Sequence, residues 1–440
     1  MELNLEKDLQ KKLNDFFKGK DAVIVDPTTS TRSTIKKILN SLGFPLSSIH
    51  IVGDFYQAAE IVREKMAAII FSAGDLGKKN AQDLLDLHVD LIPNRENCVF
   101  MVVSKQNSEA SAASYIDTEV DSYICQPFTT VTLQNAIIEA FTKKVNQTRY
   151  QREVCKIKSH IHKNDFEEAL VGIDNSMQLS DDLVWTYYLK GLVYEKQGNL
   201  EAAREEYQVA LSYSERHFQT LTGLMRTYQG LRQYGDAYSA ANALLSRFPL
   251  AINQIPDLIR ICLANRKFED LEKLSLVLNQ VPDLSENIRK YISAGLAMCG
   301  KHLLISNQSK DIALRSLKRA LESSDDNVHV VVTVGRTYLE CNYFNEALHV
   351  ANSYEDKLGD SEEFKIFELE LFYQTSETKG QVLTLGNELL QKNIKRPRVY
   401  EIIIQASIEL KRRNEAIEQL VHDASSEHPN LKSFFQSFLN

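Results

Sequence analysis

The sequence predicts a doubly wound α/β domain followed by an all-α array of helical hairpins. Three observations lead to this prediction. Short apolar segments alternate with amphipathic segments over residues 21–141, this alternation stops near residue 150, and a helical period of 34 residues follows it. Segments that are apolar on both faces are typical of buried parallel strands, and amphipathic segments are typical of the helices between them.

Five strands and five helices alternate strictly in the N-terminal region. The predicted strands are 22–25, 49–52, 67–71, 99–103 and 122–125, and the predicted helices are 31–42, 55–65, 81–92, 108–118 and 131–145. This order predicts a flavodoxin-like (βα)5 fold, whose functional groups gather at the carboxyl ends of the strands. An amphipathic segment within residues 1–20 predicts a helical extension. The first domain is therefore expected over residues 1–145.

The second region repeats small and aromatic residues at a fixed spacing. Ala169, Ala203 and Ala237 follow one another at intervals of 34 residues, which is the length of a tetratricopeptide unit. Other positions of the same pattern are Gly191, Tyr194, Tyr207, Tyr228, Gly335, Tyr338 and Ala347. Residues 146–440 thus resemble tetratricopeptide-repeat (TPR) proteins, and the resemblance implies an α-solenoid of hairpins.

The period slips once along the repeats. Residues 301–308 are interpreted as an insertion in a hairpin loop, after which the period resumes. Beyond residue 360 the pattern is weaker and predicts two further helical pairs, 367–374 with 380–391 and 399–411 with 414–423.

Composition excludes several classes of function. The net charge of −8 and the pI near 5.8 argue against nucleic-acid binding, which needs a basic surface. No apolar run reaches the length of a membrane span, and the N-terminus lacks a signal peptide's apolar core, so we expect a cytoplasmic protein.

Metal and cofactor sites are not expected either. The six cysteines include no CxxC pair, and the histidines have no carboxylates at metal-ligand spacing. Gly74 and Gly77 lack the Lys-Ser/Thr of a nucleotide loop. We therefore predict no metal, no cofactor and no enzymatic activity.

Residues 21–145 resemble the receiver domain of bacterial response regulators. The run from Val23 to Arg32, VIVDPTTSTR, is similar to the first strand and loop of that family, and the run from Val120 to Phe128, VDSYICQPF, to its last strand and Lys-Pro-Phe corner. In the family, Mg²⁺ bridges carboxylates and the phosphoryl group, and a lysine neutralises its charge.

Three positions of that chemistry have changed in this chain. The pair of acidic residues in the first loop is Asp26 followed by Pro27, the phosphoacceptor position is Ser72, and the lysine before the corner proline is Gln126. The hydroxyl and aromatic positions are kept as Ser104 and Tyr123. The resemblance therefore implies a pseudo-receiver that cannot be phosphorylated.

One alternative stays open at this point. Asp75 lies in the loop three residues after Ser72, and Asp75 or Asp26 could accept phosphate in a phosphorylatable response regulator with a TPR output. The basic stretch Lys143, Lys144, Arg149, Arg152, Lys156 and Lys158 has two interpretations: a site for an acidic partner, including nucleic acid, or a helix face that joins the domains.

The favoured prediction is a bacterial two-component-type signalling adaptor. The resemblance to receivers implies a docking face at 108–118 and 131–145, and the repeats offer a concave groove for a peptide or a partner helix. Holding two proteins together would raise their effective concentration. The sequence does not decide the oligomeric state, and a homodimer is one alternative.

Overall fold

The computed structural model describes residues 7–105, 115, 118–278, 286–375 and 379–439. It divides into two compact units, Met1–Ile261 and Cys262–Asn440. Within the described residues, no helix is both long enough and apolar enough to cross a membrane. The six cysteines are all free thiols.

The first unit begins with a five-stranded parallel sheet. Its elements are α1 (Lys7–Phe17), β1 (Ala22–Val25), α2 (Thr29–Ser41), β2 (Ile49–Val52), α3 (Phe55–Lys65), β3 (Ile69–Ala73), α4 (Ala81–Leu91), β4 (Val99–Ser104), β5 (Ser122–Cys125) and α5 (Thr130–Val145). The strand order is β2-β1-β3-β4-β5, which is the doubly wound order of flavodoxin-like folds. The predicted helix at 108–118 lies largely outside the described residues.

Alternate strand residues enter two separate cores, because successive side chains of a strand point to opposite faces. On one face, Ile24 and Phe71 pack with α2 and α5. On the other face, Val23 and Phe100 pack with α3 and α4. The N-terminal helix α1 joins the first of these cores, where the ring of Phe17 lies 5.0 Å from those of Phe44 and Phe141.

Helical hairpins complete the first unit and continue through the second. Their helices are α6 (Arg149–His162), α7 (Phe166–Ser176), α8 (Val184–Lys196), α9 (Leu200–Tyr213), α10 (Phe218–Gly230), α11 (Tyr234–Leu245), α12 (Ile255–Ala264), α13 (Phe268–Leu278), α14 (Glu286–Ile305), α15 (Lys310–Glu322), α16 (Val328–Glu340), α17 (Phe344–Leu358), α18 (Glu362–Thr375), α19 (Lys379–Gln391), α20 (Pro397–Glu409), α21 (Asn414–Glu427) and α22 (Lys432–Gln436). The two helical pairs predicted beyond residue 360 are α18 with α19 and α20 with α21. Helices α18, α19 and α21 are longer than predicted, and α20 has the predicted length but lies two residues earlier.

The period is visible in the backbone of the hairpin turns. The second residue of four successive turns has a positive φ, at Asn164 (58°), Gly198 (79°), Arg232 (59°) and Arg266 (55°). In each turn the following residue bonds back to a carbonyl near the helix end, as Asn199 N does to Tyr194 O at 2.9 Å. This left-handed residue satisfies the open carbonyls at the end of the first helix.

The slip in the period has a different cause from the predicted one. Residues 301–305 are helical and belong to α14, which has 20 residues where α8 and α10 have 13. The interpretation of 301–308 as a loop insertion is therefore wrong. Seven additional residues are close to two whole helical turns, so the helix keeps the same face toward its hairpin partner.

Candidate functional site

The carboxyl ends of the parallel strands bring the receiver-like positions to one edge of the sheet. Val25, which precedes Asp26, is paired with Ser72 in the register of β1 and β3, and Ser104 is paired with Cys125 in that of β4 and β5. Asp26, Ser72 and Ser104 are all buried. These three residues therefore lie at the same edge of the sheet.

Asp26 is a buried carboxyl that is held by its own loop. Its Oδ1 accepts a hydrogen bond from Thr28 N at 2.6 Å, and Arg32 donates to its backbone carbonyl. Burial raises the pKa of Asp26, although Thr28 and the charges of Arg32 and Lys105 oppose the change. Lys105 and Arg32 thus supply the positive charge near Asp26.

The hydroxyl of Ser72 is engaged with the main chain. Its Oγ donates to Ala73 O at 2.9 Å within β3, which ends two residues later than the predicted strand. Beside it, a Cβ added to Gly74 would lie 2.7 Å from Ser104 Oγ. The space between the ends of β3 and β4 is consequently filled by Ser104 packed against the backbone.

The aromatic side chain of Tyr123 interacts with the hydroxyl of Ser104. Tyr123 stacks on Tyr115 with ring centroids 5.2 Å apart. Burial raises the pKa of Tyr123, and a hydrogen bond with Ser104 acts in the opposite direction. On the other side, Gln126 N donates to Ser104 O at 2.7 Å, and the bond from Gln126 to Pro127 is cis.

Asp75, the alternative acceptor, lies in the loop after β3. Its carboxylate is exposed, and its Oδ1 accepts from Gly77 N at 2.8 Å, which closes a tight turn. The same residue forms an isolated bridge with Asn80. Within the described residues, no group of three or more histidines, cysteines and acidic residues has the arrangement of a metal site.

The basic stretch at the junction is engaged with carboxylates of the same unit. Lys144 pairs with Asp121 and Lys158 with Glu119, each at 2.9 Å. Other pairs are Lys143 with Glu139, Arg152 with Glu96 and Lys156 with Glu153. These contacts favour the interpretation of a face that joins α6 to the sheet, and they occupy the approach to β5.

The repeat positions predicted from sequence lie inside the hairpins. Ala203, Ala237 and Ala347 are fully buried, and Tyr194 and Tyr228 are partly buried. Small residues at these points let paired helices approach closely. The fully buried alanines therefore act in packing.

Tyr207 is the largest side chain in the core of its hairpin. A Cβ added to Gly191 or to Gly223 would lie 2.6 Å from its ring, so the ring is enclosed by glycine on two neighbouring helices. Its hydroxyl donates to Glu195 at 2.5 Å, and Arg226 bonds the same carboxylate at 3.1 Å. Sequence reasoning missed all three of Gly223, Glu195 and Arg226. Gly223 and Glu195 fall in no recurring column, but Arg226 recurs 34 residues later as Arg260, a signal that could have pointed to it.

A second charged group links hairpins in the other unit. The buried carboxylate of Glu370 on α18 accepts from Arg336 on α16 at 2.6 Å and from Arg398 on α20 at 3.2 Å. Two arginines on flanking helices therefore share one carboxylate, which fixes three successive first helices to one another.

Comparisons with known proteins find similarity only at the level of structure. No family model and no curated protein matches the sequence. A tetratricopeptide repeat protein from Parabacteroides merdae is 14% identical over 59% of this chain and 98% of its own, with a TM-score of 0.34. The TPR domain of P58(IPK) is 13% identical over 70% of this chain and 94% of its own, with a TM-score of 0.24.

A third similar structure is that of Naa15/Naa10 bound to HypK. It is 13% identical, with a TM-score of 0.34, and the match covers 67% of this chain and 55% of that chain. Two of the three structures are named for tetratricopeptide repeats. Similarity at these TM-scores is too low to decide a function.

Proposed function

We propose that this protein is a non-enzymatic signalling adaptor of the bacterial two-component type, in which a pseudo-receiver over residues 1–145 is joined to protein-binding helical repeats over residues 146–440. The observation that carries the proposal is Ser72, which stands at the position of the phosphoacceptor with its hydroxyl donating to Ala73 O. A serine at this place lacks the carboxylate from which an acyl phosphate forms.

Metal binding at the same edge is also disfavoured. Mg²⁺ prefers several oxygen ligands and is usually held by one or two ionised carboxylates together with the substrate phosphate. Asp26 is followed by Pro27 in place of a second acid, and burial raises the pKa of Asp26, which favours its neutral form. Gln126 provides an amide where a lysine would neutralise phosphate.

A phosphorylatable regulator is the second candidate, since Asp75 is exposed and close to the strand end. Its carboxylate is engaged in the turn with Gly77, which works against this candidate. Intact-mass analysis after incubation with acetyl phosphate and Mg²⁺ separates the two, with a phosphorylatable receiver as the positive control. We expect no added phosphate.

Matched variants make that experiment specific. Asp75→Asn and Asp26→Asn each remove one candidate carboxyl and keep the shape of the side chain. If the unaltered chain gains a phosphate label and one variant does not, the adaptor proposal is wrong and the protein is a phosphorylatable regulator. The absence of label in all three proteins is the expected result.

The protein-binding half of the proposal is supported by an apolar stripe on the long helix α14. Met298 and Ile305 are seven residues apart and are 53% and 52% exposed. Residues at this spacing lie on one side of a helix, and apolar residues so placed suit packing against a second helix. A partner helix with an apolar face is therefore the occupant that we propose.

A photo-crosslinking amino acid at position 298 tests this surface in cells, followed by mass spectrometry of the adducts. The matched control is the same amino acid at Val209, which is 38% exposed on α9. We expect a defined adduct at 298 whose cross-linked peptide is helical and apolar, and its loss after Ile305→Glu. Equal or absent adducts at the two positions would contradict the proposal.

A further inference from the structure

A cavity of about 420 Å³ lies within the first unit, between the sheet domain and the first helical hairpins. Its wall includes α4 and the segment after it, the residues before β5, and helices α6, α8 and α10. This volume is within the range of small-molecule sites in proteins. Neither the receiver-like pocket nor the α14 stripe contributes to it.

One side of the cavity is apolar and aromatic. Trp185, Tyr188, Leu189 and Leu192 of α8 line it together with Ile161 of α6. Trp185 is the single tryptophan of the chain. Such a wall suits the hydrocarbon part of a ligand, because contact removes apolar surface from water.

The polar side of the cavity contains a buried arginine with unused donors. Arg95 is 1% exposed, and its Nη1 donates to Nδ1 of His88 at 2.9 Å. His88 is neutral, since burial lowers its pKa to about 3, and its Nε2 bonds Ala67 O at 2.8 Å. Among the described residues, Nε and Nη2 of Arg95 find no hydrogen-bond acceptor.

These two nitrogens form one edge of the guanidinium group. Their N–H bonds run in parallel, and this fork matches the two oxygens of a carboxylate. Buried donors are nearly always satisfied in folded proteins, and leaving them unmade is costly. The vacant edge of Arg95 therefore indicates a missing acceptor.

The charges around Arg95 indicate that this acceptor is an anion. Lys144 is paired with Asp121 and Lys158 with Glu119, each at 2.9 Å, and the guanidinium of Arg95 lies in the same group of charges. Lys144 and Lys158 thus have carboxylate partners, whereas among the described residues the guanidinium of Arg95 bonds only His88, which carries no charge. A buried charge without a counter-charge is unfavourable, and a single negative charge would balance that of Arg95.

We propose that the cavity binds a small organic monoanion, in which a carboxylate docks on the Nε and Nη2 edge of Arg95 and an apolar body packs against Trp185. Arg95 is one positive charge without a carboxylate partner, and a single carboxylate supplies the matching negative charge. Arg95 is 1% exposed, so the proposal requires that the side chains covering its Nε and Nη2 edge shift to admit the carboxylate. This inference is independent of the adaptor function.

Octanoate is the probe for the first test, which uses the full chain. Binding is followed by calorimetry and by the fluorescence of Trp185, which reports on this cavity. Octanamide has the same hydrocarbon chain without the charge, and acetate has the carboxylate without the long hydrocarbon chain. We expect saturable binding of one octanoate, binding of octanamide at least about tenfold weaker, and no measurable binding of acetate.

Variants locate the charge contact. Arg95→Lys keeps the positive charge but lacks the fork, and we expect it to weaken octanoate binding about tenfold or more. Lys196→Gln removes a cation at the cavity wall and is expected to weaken binding about threefold, because the lysine is exposed. Lys156→Gln, on α6 and paired with Glu153, is the matched control with unchanged binding.

Folding of each variant is verified by its thermal transition without ligand. If Arg95→Lys does not fold, the comparison of octanoate with octanamide and the Lys196→Gln variant still decide the result. Equal affinities for the acid and the amide, or full affinity in a folded Arg95→Lys protein, would overturn the proposal. Phosphate labelling and cross-linking at 298, which test the adaptor function, use neither probe.

Discussion

The enclosure of Tyr207 by two glycines allows a stability test in which one substitution has opposite effects at two sites. An alanine at position 191 places its Cβ 2.6 Å from Cδ1 and Cε1 of Tyr207. The ring is fully buried, and its hydroxyl is bonded to Glu195, so it cannot move away freely. The strain of overpacking is about 1–3 kcal/mol.

Alanine also favours a helix over glycine by about 1 kcal/mol, which reduces the loss. We therefore expect Gly191→Ala to lower the free energy of unfolding by up to about 2 kcal/mol. Gly235→Ala is the matched control, because an added Cβ there has nothing within 4 Å and position 235 lies in α11. That variant should gain about 0.5 kcal/mol, since position 235 lies in the first turn.

Urea unfolding followed by Trp185 fluorescence measures both variants. Trp185 lies on α8, the helix that also contains Gly191, so its emission reports the unfolding of this hairpin. Two changes of the same sign would refute the reasoning, because helix propensity alone predicts a gain at both positions. A loss at position 191 with a gain at 235 would show that close packing against Tyr207 requires the glycine.

The remaining predictions concern pH and backbone conformation. The pKa of Asp26 is raised from its usual 3.8, so the folded chain loses stability as the pH rises from that value. Asp26→Asn should therefore be more stable than the unaltered protein at pH 7 and should lose this advantage below pH 3.8. Thermal unfolding at each pH measures the difference. Burial lowers the pKa of His217 from 6.5 to about 4, so stability should fall as pH drops through that window. His217→Asn keeps a side-chain acceptor for Thr220 N and should reduce this fall in acid titrations followed by circular dichroism. Gly198 has a φ of 79°, so Gly198→Ala should cost about 1 kcal/mol in urea unfolding, and Gly198→Asn clearly less; equal losses would argue against backbone strain.

Much of the fold could be predicted from short-range patterns. Strands β1, β2 and β5 have the predicted bounds, because each is a short apolar run bordered by polar or turn residues. β3 differs from its prediction of 67–71. Ala67 and Ala68 continue its apolar run without a boundary, and the strand begins only at Ile69, where pairing with Ala22 of β1 starts.

The candidate sites were predictable to different extents. The placement of Asp26, Ser72 and Ser104 at one edge of the sheet could be predicted, because these residues lie at the ends of strands that a parallel sheet aligns. Their function stays a prediction. The cavity beside Arg95 could not, because its wall combines residues separated by more than one hundred positions, from Val89 to Gln219. No local pattern marks an arginine whose hydrogen-bond acceptor is absent.

The sequence by itself determined the alternation of strands and helices, the 34-residue period and the presence of a serine, Ser72, in the third strand. These properties depend on residue type and on spacing along the chain, and both are visible in one dimension. The tertiary structure alone decided that α1 enters a core of the sheet domain, that Glu119 and Asp121 pair with Lys158 and Lys144, and that α14 is lengthened by whole turns. Such contacts join residues that are far apart in the sequence. Burial and charge pairing determine which of these contacts form, and both exist only in the folded chain.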